Sequence, residues 1–248
     1  MSHFLLIHGA LHGGWCWDKL VPLLEAKGHS VDAPDLPAMG RDRTPVADVT
    51  LERWAGFVVE RLRAAPKPPV LVGHSLGGLV IGEAAQAAPD LLRGLVFLAA
   101  LSLPHGMSSN AFRASLGLTV ADDVEMAPDG LSFRYKPDHA VRHFFNTTDP
   151  QEAAAAAAHL VAQPVAPLGT PVGVTADRFG ALPKAYIECL RDVALPLSSQ
   201  RTVQTHWPFH PVIAMDTDHS PFLCAPAELA DHLIAIADIF AARAAPAR

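Results

Sequence analysis

No run of apolar residues in this sequence approaches the roughly eighteen needed to cross a bilayer, so no membrane span or membrane partner is expected. Basic clusters are also missing: 25 acidic residues outnumber 19 basic ones, for a net charge of −6. Phosphate backbones are held by grouped Lys and Arg, so nucleic acid is not an expected partner. Cysteine is scarce. Cys16, Cys189 and Cys224 are an odd number without metal-ligand spacing, which points to free thiols in a reducing compartment. The first apolar run, Phe4–Ile7, is broken at His8-Gly9 and has no basic leader, so no signal peptide is read and a cytoplasmic protein is expected. Metal-site patterns are lacking as well. His139 and His143 have helical spacing without the Glu of H-E-x-x-H, and His206 and His210 flank Trp207-Pro208-Phe209, which a regular helix would not hold. Neither a metal nor another cofactor is expected, and Trp15 and Trp17 read as packing around the first loop.

What is present is a globular composition. At 248 residues, half hydrophobic and 18% charged, the chain can bury a sizeable core, as one α/β domain with an insertion or as two small domains. Val70-Leu71-Val72 reads as a buried strand, and Leu79, Val80, Ile81, Ala84 and Ala85 read as one face of a packed helix. Between them Gly73-His74-Ser75-Leu76-Gly77 fits G-x-S-x-G, a strand-to-helix turn that holds a serine on a strained backbone with its hydroxyl exposed. The bare pattern arises from ordinary composition in about one chain in ten of this length, so its context carries the argument. A glycine-rich turn with an idle serine is the competing reading. Side chains at 73 or 77 would collide where strand and helix cross.

The same rhythm recurs along the chain. Phe4–Ile7 reads as a first buried strand, Leu20, Val21, Leu23 and Leu24 as a helix begun at Asp18 and stopped by Gly28, and Ser30–Ala33 as a second strand. A proline-rich loop over 34–45 and a helix carrying Leu51, Trp54, Val58 and Leu62 come before the strand at 70–72. Leu92–Ala100 reads as a fourth strand, Lys184–Leu190 as a fifth and Val212–Met215 as a sixth, before a last helix with Leu229, Leu233, Ile236 and Phe240. Strands alternating with helices predict parallel βαβ units with helices on both faces of the sheet. From Leu103 to Gly180 the buried-strand signal lapses into scattered aromatics and an alanine run, Ala153–Ala158, which predicts a mostly helical insertion. The division expected is a first part of the core over 1–102, a helical cap over 103–181 and the remainder of the core over 182–248.

A serine hydroxyl is a poor nucleophile unless a base takes its proton, and the base must be oriented by a third group. In open parallel sheets the usable loops lie beyond the carboxyl ends of the strands. There stand Asp192, after the fifth strand, and His219, after the sixth. Ser75, Asp192, His219 is the chain order of the α/β hydrolases. Asp216 and Asp218 compete for the acid's role, but neighbours in sequence rarely reach the far nitrogen of an imidazole, and Asp35 reads as a turn former. An oxyanion needs two donors. The Leu76 N–H at the start of a helix is one, and the Ala10 N–H after the first strand is the expected second.

His8-Gly9-Ala10-Leu11-His12-Gly13-Gly14-Trp15-Cys16-Trp17, Val72-Gly73-His74-Ser75-Leu76-Gly77-Gly78, Tyr186–Asp192 and Asp218-His219-Ser220-Pro221 together resemble the α/β-hydrolase branch of plant methylesterases, hydroxynitrile lyases and bacterial carboxylesterases such as pyrethroid hydrolase. The resemblance spans both core segments and fades through the cap. It implies an α/β-hydrolase fold with a mostly parallel sheet of about six strands and an inserted helical cap, the triad and oxyanion roles just named, and no cofactor. The function expected is hydrolysis of a small or medium ester with an apolar portion. Gly9, Leu11, His12, Phe112, Phe144, Phe145, Ser220 and Phe222 are the candidate pocket residues. A hormone-receptor role is the alternative, since some relatives of this fold bind ligands without turning them over. Cyanohydrin cleavage is disfavoured. Lyases of this branch carry a threonine and a lysine where this chain has Gly9 and Ser220, and Gly9 is expected to leave room beside Ser75 for a tetrahedral adduct. The sequence leaves open whether the chain works alone or as a homodimer.

Overall fold

The computed structural model describes residues 1–118 and 121–244. Its first half runs β1 (His3–Ile7), α1 (Leu20–Ala26), β2 (Ser30–Asp32), α2 (Leu51–Ala64), β3 (Val70–His74), α3 (Gly77–Ala87) and β4 (Gly94–Leu98). An inserted stretch follows, with α4 (Ser109–Ser115), β5 (Val124–Met126), β6 (Ser132–Tyr135), α5 (Pro137–Phe144), α6 (Pro150–His159), β7 (Gln163–Pro164) and α7 (Ala166–Gly169). The chain closes with β8 (Lys184–Cys189), α8 (Leu197–Gln204), β9 (Val212–Met215), α9 (Pro221–Cys224) and α10 (Pro226–Ala244). None of the helices among the described residues is long and apolar enough to cross a membrane.

Six strands form one sheet in the order β2-β1-β3-β4-β8-β9, and every pairing in it is parallel. β1, β3, β4 and β8 are buried along their whole length because helices cover both faces. Alternate residues therefore go to opposite sides. Leu5, Ile7, Leu71, Leu95 and Phe97 pack towards α2 and α3, whereas Phe4, Leu6, Val70, Val72 and Val96 pack towards α1 and α10. From β1 the chain moves outward to β2 and then returns to place β3 on the other side of β1. The order thus reverses between β1 and β3, the place where an open parallel sheet leaves a crevice beyond its strand ends.

The inserted stretch carries a small sheet as well as the expected helices. β5, β6 and β7 make a second, antiparallel sheet, with Val124 opposite Tyr135, Met126 opposite Phe133 and Phe133 opposite Gln163. A hairpin built on Asp129 and Gly130, the latter at φ +71°, turns β5 into β6. These strands are short and half-exposed, so they carry no continuous apolar run to be read. The alanine run does form a helix. Asp149 accepts from the N–H groups of Gln151 and Glu152, and Pro150 sits at the first helical position, so α6 starts where its sequence dictates.

α10 lies so close to β4 that a Cβ at Gly94 would sit 2.5 Å from the Phe240 ring. Phe240 is 1% exposed within the cluster on that face. Truncating it leaves a ring-sized void against rigid backbone, so Phe240→Ala should lower unfolding free energy by about 3–5 kcal/mol in urea titrations. A loss below ~1 kcal/mol would mean α10 is not locked to the sheet as described.

Candidate active site

Ser75 sits between β3 and α3 with φ +52°, a left-handed conformation that a side chain disfavours. Its backbone is held by three hydrogen bonds: Ser75 N to Leu98 O at 3.1 Å, and Leu101 N and Gly78 N to Ser75 O at 3.0 and 3.1 Å. The turn is tight enough to need its glycines. A Cβ at Gly73 would lie 2.8 Å from Gly77 O, and one at Gly77 would lie 2.6 Å from His8 O.

The Asp192 carboxylate receives His219 Nδ1 at 2.6 Å, and the two side chains are 0% and 2% exposed. Asp192 Oδ1 accepts from the N–H groups of Ala194 and Leu195, both at 2.8 Å, and Gln200 Nε2 reaches Oδ2 at 3.3 Å. A carboxylate filled this way cannot turn away from the imidazole. With Nδ1 donating to Asp192, the other ring nitrogen, Nε2, is the one able to accept a proton. His219 and Ser75 line the same cavity. Among the described residues no hydrogen bond joins the Ser75 hydroxyl to His219, a contact that in related chemistry tightens once substrate is in place.

The loop after β1 is fixed by its histidines. Leu36 N–H donates to His8 Nε2 at 3.1 Å, so the His8 proton is on Nδ1, which donates to Gly9 O at 2.9 Å. His12 Nδ1 donates to Ala10 O at 2.7 Å. Gln163 Oε1 accepts from Leu11 N–H at 2.9 Å and holds Leu11 at φ +66°. With their carbonyls engaged, these peptides cannot rotate. The N–H groups of Ala10 and Leu76 have no acceptor among the described residues, and both residues line the cavity with Ser75.

The predicted pocket is only partly the observed one. Leu11 and Phe144 line the cavity; Gly9, His12, Phe112, Phe145, Ser220 and Phe222 do not. His12 stacks on Trp15 and meets Phe144, Phe145 and Phe222 edge-on, so its ring is spent on packing beneath the loop. Phe112 is buried in the cluster under α4, and Ser220 is fully buried with its N–H on Asp218. Gly9 does not leave room. A Cβ there would come within 2.8 Å of His74 Nδ1 and 2.9 Å of Ser75 Cβ, so glycine is present because two backbones approach closely. Sequence reasoning missed Ser109, Arg113, Phe133, Tyr135 and Leu195, which form much of the wall. Phe133 and Tyr135 share one face of β6, a two-residue period that was there to be read.

The competing carboxylates do other work. Asp216 is exposed and paired with Arg191. Asp218 is fully buried: Oδ2 accepts from Thr147 N, Thr148 N and Thr148 Oγ1 at 2.9–3.0 Å, and Oδ1 from Ser220 N at 2.9 Å. It ties the inserted stretch to the loop that carries His219. His139 and His143 both face Asp123, and no group of His, Cys, Asp and Glu among the described residues is arranged to hold a metal.

With this geometry in view, comparison places the chain in a class. The model of the alpha/beta hydrolase family matches residues 4–232, and the chain belongs to that family. Within it, the chain is 34% identical over 257 residues to Methylesterase 2 of Arabidopsis thaliana, covering 96% of this chain and 97% of that one. It is 33% identical to Pyrethroid hydrolase of Sphingobium wenxiniae, covering 96% and 88%. The crystal structure of a pyrethroid hydrolase from Sphingobium faniae superposes with a TM-score of 0.84 at 32% identity, covering 96% and 97%.

Two measurements test the local physics. Replacing Asp218 by Asn turns an acceptor-only group into one that also presents donors to the N–H groups around it. Asp218→Asn should therefore cost about 3 kcal/mol or more of stability in urea, while Asp216→Asn on the surface should change it by less than about 0.5 kcal/mol. The reverse ranking would remove Asp218 as a structural tie. The second concerns acid. Burial lowers the pKa of His8 to about 4 and of His12 to about 3, against the carbonyl hydrogen bonds that act the other way, and burial pushes His74 well down too. An unfolded histidine titrates near about 6.5. Above that pH neither state is protonated, and below it the unfolded chain takes up protons that the folded chain refuses, so stability falls as pH drops from 6.5 towards 4. For His8 alone the loss approaches roughly 3 kcal/mol. Urea titrations at pH 7.5 and 4.5 should show this loss, and it should be smaller in His12→Gln; an identical loss in both proteins would refute buried neutral histidines as its source.

Proposed function

We propose that the protein is a serine carboxylesterase acting on a small or medium ester through an acyl-enzyme. The observation that carries this reading is the buried Asp192–His219 pair at 2.6 Å opening onto the same cavity as the strained Ser75. The esterase names of the relatives support ester hydrolysis as the reaction class.

In this reading Ser75 Oγ attacks the ester carbonyl while His219 Nε2 takes its proton, and Asp192 holds the ring and stabilises the imidazolium. The N–H groups of Ala10 and Leu76 receive the oxyanion, and the start of α3 at Gly77 adds the positive end of its helix dipole. His219 then passes its proton to the leaving alcohol. Water, deprotonated by the same nitrogen, frees the acid and regenerates Ser75. The stretch 103–181 acts as the cap: it contributes Ser109, Arg113, Phe133, Tyr135 and Phe144 to the wall and so sets which ester enters. Cyanohydrin cleavage is unsupported, because Ser220 is buried away from the cavity and carries no charge to offset cyanide, and Gly9 bears no hydroxyl.

A fluorophosphonate probe should label Ser75, and Ser75→Ala should keep less than about a hundredth of the hydrolysis of an activated aryl ester. Asp192→Asn should cost up to about 10⁴ in kcat by favouring the wrong tautomer. Ligand-induced thermal shifts without labelling would instead mean a receptor. Cyanide release from mandelonitrile that depends on Ser75 would replace the esterase reading with a lyase.

A further inference from the structure

The cavity above Ser75 is walled mainly by Leu, Ala and Phe side chains. One charged side chain that does not belong to the Ser-His-Asp set enters that wall: Arg113, on α4, one helical turn after Ser109, which also lines it. Arg113 is half-buried, and its guanidinium makes neither a hydrogen bond nor an ion pair with any described residue. Other arginines without a partner, Arg93 excepted, lie exposed to solvent, as Arg43, Arg53 and Arg134 do. Arg61, Arg191 and Arg201 each engage a carboxylate, and Arg178 engages two backbone carbonyls.

Arg113 lies close enough to Tyr135 to oppose, in part, the burial that raises that phenol to about 12. Both side chains line the cavity, so the phenol O–H and the guanidinium N–H groups are donors available to it. Asp123, whose charge acts on Tyr135, is paired with His139 and His143 and makes no ion pair with Arg113. A cation held against apolar walls without an acceptor is costly unless a partner arrives, and a planar fork of N–H donors fits a carboxylate bidentately.

Resting on the esterase reading above, we propose that Arg113 is a specificity-determining residue that binds a carboxylate at the far end of the substrate, so that the preferred substrates are half-esters of dicarboxylic acids. The ester carbonyl lies at Ser75 and the free carboxylate pairs with Arg113, with the Tyr135 hydroxyl as a second donor. The apolar residues between them accept the methylene spacer. Hydrolysis then releases a dicarboxylate, whose second charge appears beside Ser75, where no fixed cation holds it.

The test uses monomethyl esters of the C4 to C8 dicarboxylic acids against the matching dimethyl esters. For the native protein the ratio of kcat/KM, half-ester over diester, should exceed about ten at the best chain length, should fall at high salt, and should drop at least tenfold in Arg113→Gln, mostly through KM. Arg113→Lys should recover part of the ratio. A native preference for the diester, or a ratio unchanged in Arg113→Gln, overturns the proposal and leaves esterase chemistry standing. Binding separates the two readings. Calorimetric titration of monomethyl half-esters into Ser75→Ala should give at least tenfold tighter binding than into Ser75→Ala/Arg113→Gln, and equal affinities overturn the anion site. If no ester is hydrolysed and no probe labels Ser75, the esterase reading fails, and the same titration still decides for or against Arg113.

Discussion

The reactive centre depends on one backbone constraint, the left-handed Ser75 held where β3 meets α3. A non-glycine residue in that conformation persists only if its surroundings over-determine it. Here three backbone hydrogen bonds do so, and they come from β4 and the residues just after it as well as from α3 itself. The absence of side chains at 73 and 77 lets the helix come down onto the strand and onto the end of β1. That contact brings the β1 loop and the start of α3 to one spot at the reversal of strand order. Two N–H groups with no acceptor among the described residues follow from this topology, and neither required a polar side chain.

The division of labour among the carboxylates follows from burial. Asp192 and Asp218 are both filled with N–H donors and both lie out of solvent, yet neither forms an ion pair with a lysine or arginine among the described residues. Donors fixed by the backbone replace the water that each carboxylate gives up on burial. Asp192 has one lone-pair direction left for an imidazole; Asp218 has spent its own on the inserted stretch and on Ser220. Asp216 stands two residues from Asp218, where strand β9 ends, and remains on the surface with Arg191.

How far the sequence could be read follows the same physics. The central strands are covered on both faces, so their apolar runs are continuous and stand out, and the strand ends that carry Ser75, Asp192 and His219 follow from them. Strands β5 and β6 are short and half-exposed, and β7 is only two residues long, so no such run marks them. The pocket was legible at Leu11 in a core loop and at Phe144 on α5, but not along α4 or β6. His12, Phe145 and Phe222 look like pocket residues in sequence, but an aromatic ring packs equally well beneath a loop, and these three pack on one another. Gly9 shows a subtler limit: its missing side chain reads as free space in one dimension, whereas in three dimensions the His74 ring and Ser75 already fill it.

The inserted stretch is therefore more than a lid that could be exchanged at will. Thr147 and Thr148 bind the Asp218 carboxylate next to His219, while Val161 N–H and the Gln163 side chain bind Leu11 in the loop that offers the Ala10 N–H. The same segment carries Arg113, Tyr135 and Phe144 into the wall. The cavity wall and the loops that carry His219 and Ala10 are thus linked through a few buried hydrogen bonds. Moving the wall to admit a different ester strains those bonds. Specificity in this fold should then change at least cost through side chains such as Arg113, which lines the cavity and makes no hydrogen bond or ion pair with a described residue, and at greatest cost through the backbone at 147–148 and 161–163, where a shift in shape is also a shift in the chemistry.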